Sequence, residues 1–426
     1  MYRCIASALF LVVFGATHPI WAADWPTFRG PAGDGLSGGE QGPTQWSATD
    51  NIAWKVKLPQ PGNGSPIAVD GRVFVTSAED EEGKQRSLYC FDQKTGKQLW
   101  VKTVTIDEKM PTHKTNPYCG STPASDGERV VVFHGSAGLY CYDLDGNELW
   151  SRNLGKFRHM WGYGASPIFH DGKILLNAGP GKNVFLTAID PTNGKEIWKT
   201  PEPVEADGNR RDDGNPMGSW CTPVIAEVDG KSQIICAMPT RVNAYDPQSG
   251  EIIWTCDGMA HDRGSLAYSS PVIVGPLCFI TGGYRGPTMA IRLGGAGDVT
   301  QTHRLYRKEN SPQSIGTGVA IDGYLYRPNA DGAAIQCLDP KTGKILWSHR
   351  GKGPSWGSIA GAGGLLYLTN KKGTTLVFKP SEEKYIEVAV NELDDSTNAT
   401  PAIADGRIFI RTDGSLFGIA ESPAEK

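Results

Sequence analysis

One short phrase, Asp-x-x-x-Gly followed by an apolar strand ending in Trp, recurs along this chain and constrains its fold more than any bulk property. It reads CFDQKTGKQLW from Cys90 to Trp100, AIDPTNGKEIW from Ala188 to Trp198, AYDPQSGEIIW from Ala244 to Trp254 and CLDPKTGKILW from Cys337 to Trp347. A copy one residue shorter, CYDLDGNELW, ends at Trp150, and Trp54 in IAWKVKL keeps the strand without the turn. The step between tryptophans is roughly 50 residues, the mark of a repeat architecture.

A second phrase precedes each of these: Ser/Thr-Pro, apolar residues, then Asp-Gly. It appears as SPIAVDG at Ser65, TPASDG at Thr122, SPIFHDG at Ser166, TPVIAEVDG at Thr222 and TPAIADG at Thr400. Asp-Gly between short β-branched runs signals a hairpin, because Gly supplies the positive φ of the tight turn. A third apolar run and the Trp strand complete four antiparallel strands, with no helical period in the unit. Weakened copies at Ser270, Gly316 and Gly357 bring the count to eight; Tyr306 replaces Trp in the fifth, and the seventh lacks the Asp-x-x-x-Gly turn. The eighth supplies only three strands before the chain ends, and IAWKVKL is the natural fourth. Pairing first strand with last removes the exposed edges of an open stack. The expectation is an all-β, eight-bladed β-propeller closed by its N-terminal strand, with seven blades as the alternative.

The chain divides accordingly into a leader (1–23), an N-terminal arm (24–50), the propeller (51–420) and a short tail (421–426). Arg3, the apolar run from Ile5 to Ala16 and small residues at Ala22 and Ala23 form a secretory signal peptide cleaved near Ala22/Ala23, which predicts a periplasmic or secreted protein. No other run is long enough to span a bilayer. A net charge of −4 with mixed signs excludes bulk attraction to nucleic acid or an anionic membrane. Cys90, Cys141 and Cys337 occupy the position of Ala188 and Ala244, so they read as small buried hydrophobes. Cys221 with Cys236 is the pair best placed to form a disulfide.

The recurring AxDxxTGxxxW phrase resembles the Trp-docking repeat of the pyrroloquinoline quinone (PQQ) dehydrogenase-like propellers, over about residues 51–420. The segment DWPTFRGPAGDGLS from Asp24 to Ser37 is similar to the start of many secreted planctomycete-type propellers. The resemblance implies one of two functions. Quinoprotein alcohol and glucose dehydrogenases carry PQQ with Ca²⁺, using adjacent cysteines, acidic calcium ligands and a catalytic Asp. A non-enzymatic branch resembles the propeller subunit of the outer-membrane barrel assembly machinery. No Cys-Cys pair occurs here.

The repeat tryptophans Trp54, Trp100, Trp150, Trp198, Trp254 and Trp347 are structural. Chemistry is expected in the loops at one channel mouth, since blades are scaffold. Those loops carry Tyr118, Arg158, His159, Trp161, Tyr163, Arg211, Asp213, Trp220, His261, Asp262, Arg263, Tyr268 and Trp356. Aromatic faces interleaved with Arg, His and Asp suit a flat or sugar-like ligand, or an anchor on a protein partner. Neither metal-ligand spacing nor a GxSxG elbow is present. The sequence therefore reads as an exported, non-enzymatic scaffold without cofactor or metal. It binds an envelope or secreted protein partner or a small sugar-like ligand, in outer-membrane or cell-envelope assembly. A PQQ- and Ca²⁺-dependent alcohol or sugar dehydrogenase, or a carbohydrate-binding or carbohydrate-active propeller, are the alternatives.

Overall fold

The computed structural model describes residues 24–39, 41–204, 206–331 and 334–421; the expected signal peptide and the residues after 421 lie outside these. Eight four-stranded units follow one another around a ring. In blade 1 the strands run outward in chain order as Ile67–Val69, Arg72–Ala78, Gln85–Asp92 and Gln98–Thr105. Blades 2 to 7 repeat that order over residues 124–152, 168–201, 224–257, 272–308, 319–350 and 360–392. Blade 8 takes Ala402–Ala404, Arg407–Arg411 and Ser415–Ile419 from the end of the chain and Ile52–Lys57 from its beginning. Ile52–Lys57 lies antiparallel to Ser415–Ile419 with Trp54 opposite Gly418, so the ring closes as the sequence predicts.

Two side-chain devices join the blades. Five of the six repeat tryptophans stack across the junction and donate the indole N–H to the turn of the following blade. Trp54 reaches Gln93 O at 3.0 Å, Trp100 Leu144 O at 2.9 Å, Trp150 Pro191 O at 2.7 Å, Trp198 Pro247 O at 3.1 Å and Trp347 Ser381 O at 2.8 Å. The turn Gly is where the ring lands: Gly250 has φ +74°, and a Cβ there would meet Trp198 Cε3 at 2.4 Å. Tyr306 does the same work in blade 5, its hydroxyl donating to Pro340 O at 2.9 Å. The residue opposite the Trp on the neighbouring strand is Cys90, Cys141, Ala188, Ala244, Cys337 or Gly418, so the Cys/Ala position is small because an indole covers it.

The second device is a circle of eight hydroxyls around the channel, hydrogen-bonded at seven of its eight junctions, all but that from Thr222 to Ser270. Ser65 N–H donates to Thr122 Oγ1, Thr122 to Ser166, Ser166 to Thr222, Ser270 to Thr317, Thr317 to Ser358, Ser358 to Thr400, and Thr400 back to Ser65, at 2.9–3.1 Å. These are the Ser/Thr residues of the recurring Ser/Thr-Pro phrase and their equivalents Thr317 and Ser358, one per blade. That conservation of geometry fixes the count at eight where the sequence left seven open.

Trp254 packs in one cluster with Ile280, Met289 and Val299 of blade 5 but differs from the others in its hydrogen bond. It is fully buried, but its N–H stays within its own blade, on Gln233 Oε1 at 3.0 Å. Blade 5 has no Asp-x-x-x-Gly turn to receive it. Instead Gly297–Asp298 adds a parallel fifth strand beside Trp254 and Thr255, followed by the one-turn helix Thr300–His303. Cys221 and Cys236 are thiols with Sγ atoms 3.9 Å apart.

The arm crosses the ring before joining it. Trp25 bridges Ala68 of blade 1, Ser125 N–H of blade 2 donates to Pro26 O at 2.8 Å, and Thr27 Oγ1 reaches Pro167 O at 3.4 Å beside blade 3. Arg29 then donates to Gly318 O of blade 6 at 2.7 Å, and Leu36 bridges Gly361 of blade 7. Gly42 and Trp46 hold Tyr367 and Asn391 on the way out to the closing strand.

Candidate functional site

A cavity of about 340 Å³ opens at the mouth where the innermost strands begin. It is built in two layers of eight. The deeper layer is the hydroxyl circle, Ser65 to Thr400, every member of which lines the cavity. The upper layer is the residue two positions earlier in each blade: Asn63, Gly120, Gly164, Trp220, Tyr268, Ile315, Trp356 and Asn398. Alternate residues of an extended chain share a side, so both layers face the channel.

The upper layer is not uniform. Blades 4 to 7 contribute Trp220, Tyr268, Ile315 and Trp356, while blades 8 and 1 contribute amides and blades 2 and 3 glycines. Two further aromatics thicken the apolar side. Trp161 packs on Trp220 and Tyr268 with ring centroids 5.9 and 6.3 Å apart, and Tyr284 packs edge-on to Trp161 at 5.2 Å. A two-stranded parallel ladder, Met217–Ser219 with Ser265–Ala267, carries this wall, and Trp220 N–H donates to Ala267 O at 2.8 Å. Trp220 Nε1 holds Gly162 O at 3.0 Å, which fixes the loop bearing Trp161. Trp356 stands apart from that cluster, with the Lys371 ammonium 4.0 Å above its ring.

The opposite side is amide-rich. Asn63 Nδ2 donates to Asn116 Oδ1 and to Thr115 O, both at 3.0 Å, and Asn116 Nδ2 holds Trp161 O at 2.7 Å. Asn398 Oδ1 is buried without a hydrogen-bond partner among the described residues. A buried acceptor of that kind carries a standing free-energy cost. Among the described residues lining the cavity there is no Asp, Glu, Lys or Arg, and His113 is the sole imidazole. No group of three or more His, Cys, Asp or Glu among the described residues could hold a metal ion.

Of the residues expected at the mouth, Trp161, Trp220, Tyr268 and Trp356 line the cavity together. His159 stands behind the aromatic wall, against Trp161 and Trp220, while Tyr118 and Tyr163 pack on blades 1 and 2; all three are buried. His159 Nε2–H donates to Met217 O at 2.8 Å and Nδ1 accepts Trp161 N–H at 3.1 Å, so the ring is neutral and holds Trp161 in place. Burial pushes its pKa down to about 4, against the smaller raising effect of the Met217 hydrogen bond. The Tyr118 hydroxyl donates to Met110 O at 2.7 Å, and Arg86 lies over the rings of both Tyr118 and Tyr163. Arg158, Arg211, Asp213, His261, Asp262 and Arg263 do not line the cavity. Arg158 pairs with Glu108 and Arg211 with Asp213 and His261 O, while Arg263 donates to Arg285 O and Asn310. Asp262 is exposed, and burial lowers the pKa of His261. Phe28, Asn63, Asn398, Tyr284, Gln313 and Ile315 line the cavity but were not singled out from the sequence.

A family model described as outer membrane protein assembly factor BamB, a PQQ-repeat model, matches residues 36–118, 85–349 and 331–422. Quinoprotein ethanol dehydrogenase of Pseudomonas putida is 28% identical over 249 residues, which is 49% of this chain and 38% of that protein. The chain thus spans well under half the length of that relative. Outer membrane protein assembly factor BamB of Burkholderia pseudomallei is 23% identical over 364 residues, 83% of each chain. Among solved structures, quinohemoprotein alcohol dehydrogenase from Comamonas testosteroni superposes with a TM-score of 0.68 over 95% of this chain and 82% of its own, at 13% identity, a likeness of fold alone. These findings correct the expectation of a non-enzymatic assembly scaffold. The alcohol dehydrogenases give the higher identity and a TM-score of 0.68, against 23% identity for the assembly factor.

Proposed function

The chain belongs to the PQQ-repeat propeller family described as outer membrane protein assembly factor BamB, and from that premise we propose that its mouth cavity is a small-molecule site of the alcohol-handling kind. The ligand is an uncharged, hydroxyl-bearing ring, the chemistry of a sugar or cyclic polyol. One observation carries this: a cavity with an aromatic wall on one side and amides and hydroxyls on the other, and no charged side chain among its described lining residues. A ring stacks its apolar face on Trp220 and Tyr268 and offers hydroxyls to Asn63, Asn398 and the hydroxyl circle. The dehydrogenase relatives are named for ethanol and polyvinyl alcohol, which are also hydroxyl compounds. The outer-membrane assembly relative supports a place in the cell envelope, and no helix among the described residues is long and apolar enough to cross a membrane.

The calcium–quinone pair does not fit this cavity. Calcium takes oxygen ligands that include carboxylates, and none lines it among the described residues. The carboxylates of PQQ would likewise meet no Arg or Lys there. Titration calorimetry with neutral sugars and polyols against gluconate and glucosamine tests the proposal. Saturable binding of a neutral ring, with charged counterparts at least about tenfold weaker, or about 1.4 kcal/mol, is the expected result. Preference for the anion or the cation refutes it. The likeness to the ethanol dehydrogenase favours a second reading, oxidation of that same ligand. Dye-coupled alcohol and sugar oxidation, assayed with and without added PQQ and Ca²⁺, decides it: turnover only with both present supports oxidation and overturns the misfit argued from the lining, and none in either case removes the second reading.

A further inference from the structure

We infer that the N-terminal arm closes the far end of the channel and that Phe28 is the floor of the ligand cavity, making it a blind site read from one mouth. This rests on the cavity being the ligand site. Phe28 lines the cavity, although it lies far in sequence from every mouth loop. Its neighbours Trp25, Pro26, Thr27, Arg29 and Gly30 are all buried, and Phe28 alone among them is partly open. The arm is tied on both sides of it and to opposite sides of the ring. Thr27 is bonded beside blade 3 and Arg29 to blade 6, with Trp25 and Leu36 laddered to blades 1 and 7. Arg29 is fully sequestered, its guanidinium also held by Gly33 O at 3.1 Å and Asp34 O at 2.5 Å. Gly35, with φ +89°, lies so close to blades 6 and 7 that a Cβ would meet Val319 Cγ1 at 2.7 Å and Ile359 O at 2.9 Å. A segment held at this many points is a fixed plug, and its one side chain open to the cavity sets the depth available to a ligand. A chain molecule therefore enters by its end and cannot thread through.

Thiol accessibility tests this without any knowledge of the ligand, because every described native cysteine is buried. Phe28→Cys and, as its control, Thr27→Cys are made in the full chain, with the unsubstituted protein as the blank. The reagents are a small methanethiosulfonate and a polymer-linked maleimide too bulky for the cavity. The inference expects Phe28→Cys to react with the small reagent and not the bulky one, and Thr27→Cys with neither. Reaction of Phe28→Cys with both reagents, or of Thr27→Cys as fast as Phe28→Cys, would show an arm outside the channel and overturn it. So would a folded Phe28→Cys that reacts with neither. Glucose and maltose are then added as protectants. If the labelling pattern holds but neither slows it, the blind cavity stands and the sugar-class ligand falls.

Discussion

Trp198→Ala probes the device that joins the blades. The indole of Trp198 is 8% exposed, faces Ala188 across the strand pair and lies against Gly250 of the next blade. A buried Trp removes roughly 200 Å² from water, which at about 25 cal/mol per Å² is an upper bound of about 5 kcal/mol. Part of that area is retained by the Ala Cβ and part by collapse of the junction. A loss of about 3–5 kcal/mol is therefore expected. Trp198→Phe keeps most of the apolar contact but forfeits the N–H bond to Pro247 O, so it should lose only about 1–2 kcal/mol. Denaturant unfolding reads both as shifts of midpoint at constant m-value, and a changed m-value would signal that the ring no longer unfolds as one unit. A loss below about 1 kcal/mol for Trp198→Ala, or equal losses for the two variants, would refute the docking argument.

Two further outcomes follow from groups on the channel side. Ser65→Ala strips the acceptor from the buried Thr400 N–H at the junction that closes the circle, so it should cost about 1–3 kcal/mol with recovery in Ser65→Thr; an unchanged denaturation midpoint would count against the circle. His159 is held neutral by burial, which lowers its folded pKa to about 4 from the ordinary imidazole value of about 6.5. The unfolded chain therefore binds the proton first as pH falls, and stability drops from about pH 6.5 down to about 4. Between pH 7 and 5 this group alone should remove about 2 kcal/mol, a slope that His159→Gln should flatten; an unaltered slope would show that the imidazole titrates normally.

The fold was legible because its determinants are periodic. The Trp recurs in six blades, the turn Gly in five and the Ser/Thr in all eight, and, the N–H of Trp254 apart, they bond to or pack on the neighbouring blade. Even Tyr306, which looks like a lapse in the pattern, keeps the contact through its hydroxyl. The hydrogen-bond partner of Trp254 was not legible, because the following blade's missing turn is replaced by a parallel strand that no local pattern announces. In the site, Trp161, Trp220, Tyr268 and Trp356 stood out as large aromatics in loops otherwise rich in glycine. Asn63, Ile315 and Asn398 did not, although one rule covers them: each sits two residues before its blade's circle hydroxyl, as Trp220, Tyr268 and Trp356 do. Phe28 and Tyr284 follow no such rule. One reaches the cavity through the path of the arm, the other from a loop inside blade 5, and neither route is written in spacing. Arg211, Asp213 and Arg263 drew attention by charge, but they satisfy each other and nearby carbonyls on the rim.

A crystal structure of the protein soaked with whichever neutral sugar binds best in calorimetry tests the central claim most directly. The account predicts one ring stacked on the wall formed by Trp161, Trp220, Tyr268 and Tyr284, with hydroxyls bonded to Asn63 and Asn398 and Phe28 beneath it. A sugar bound instead on the outer strands or at the opposite face, with the mouth cavity holding only water, would contradict it.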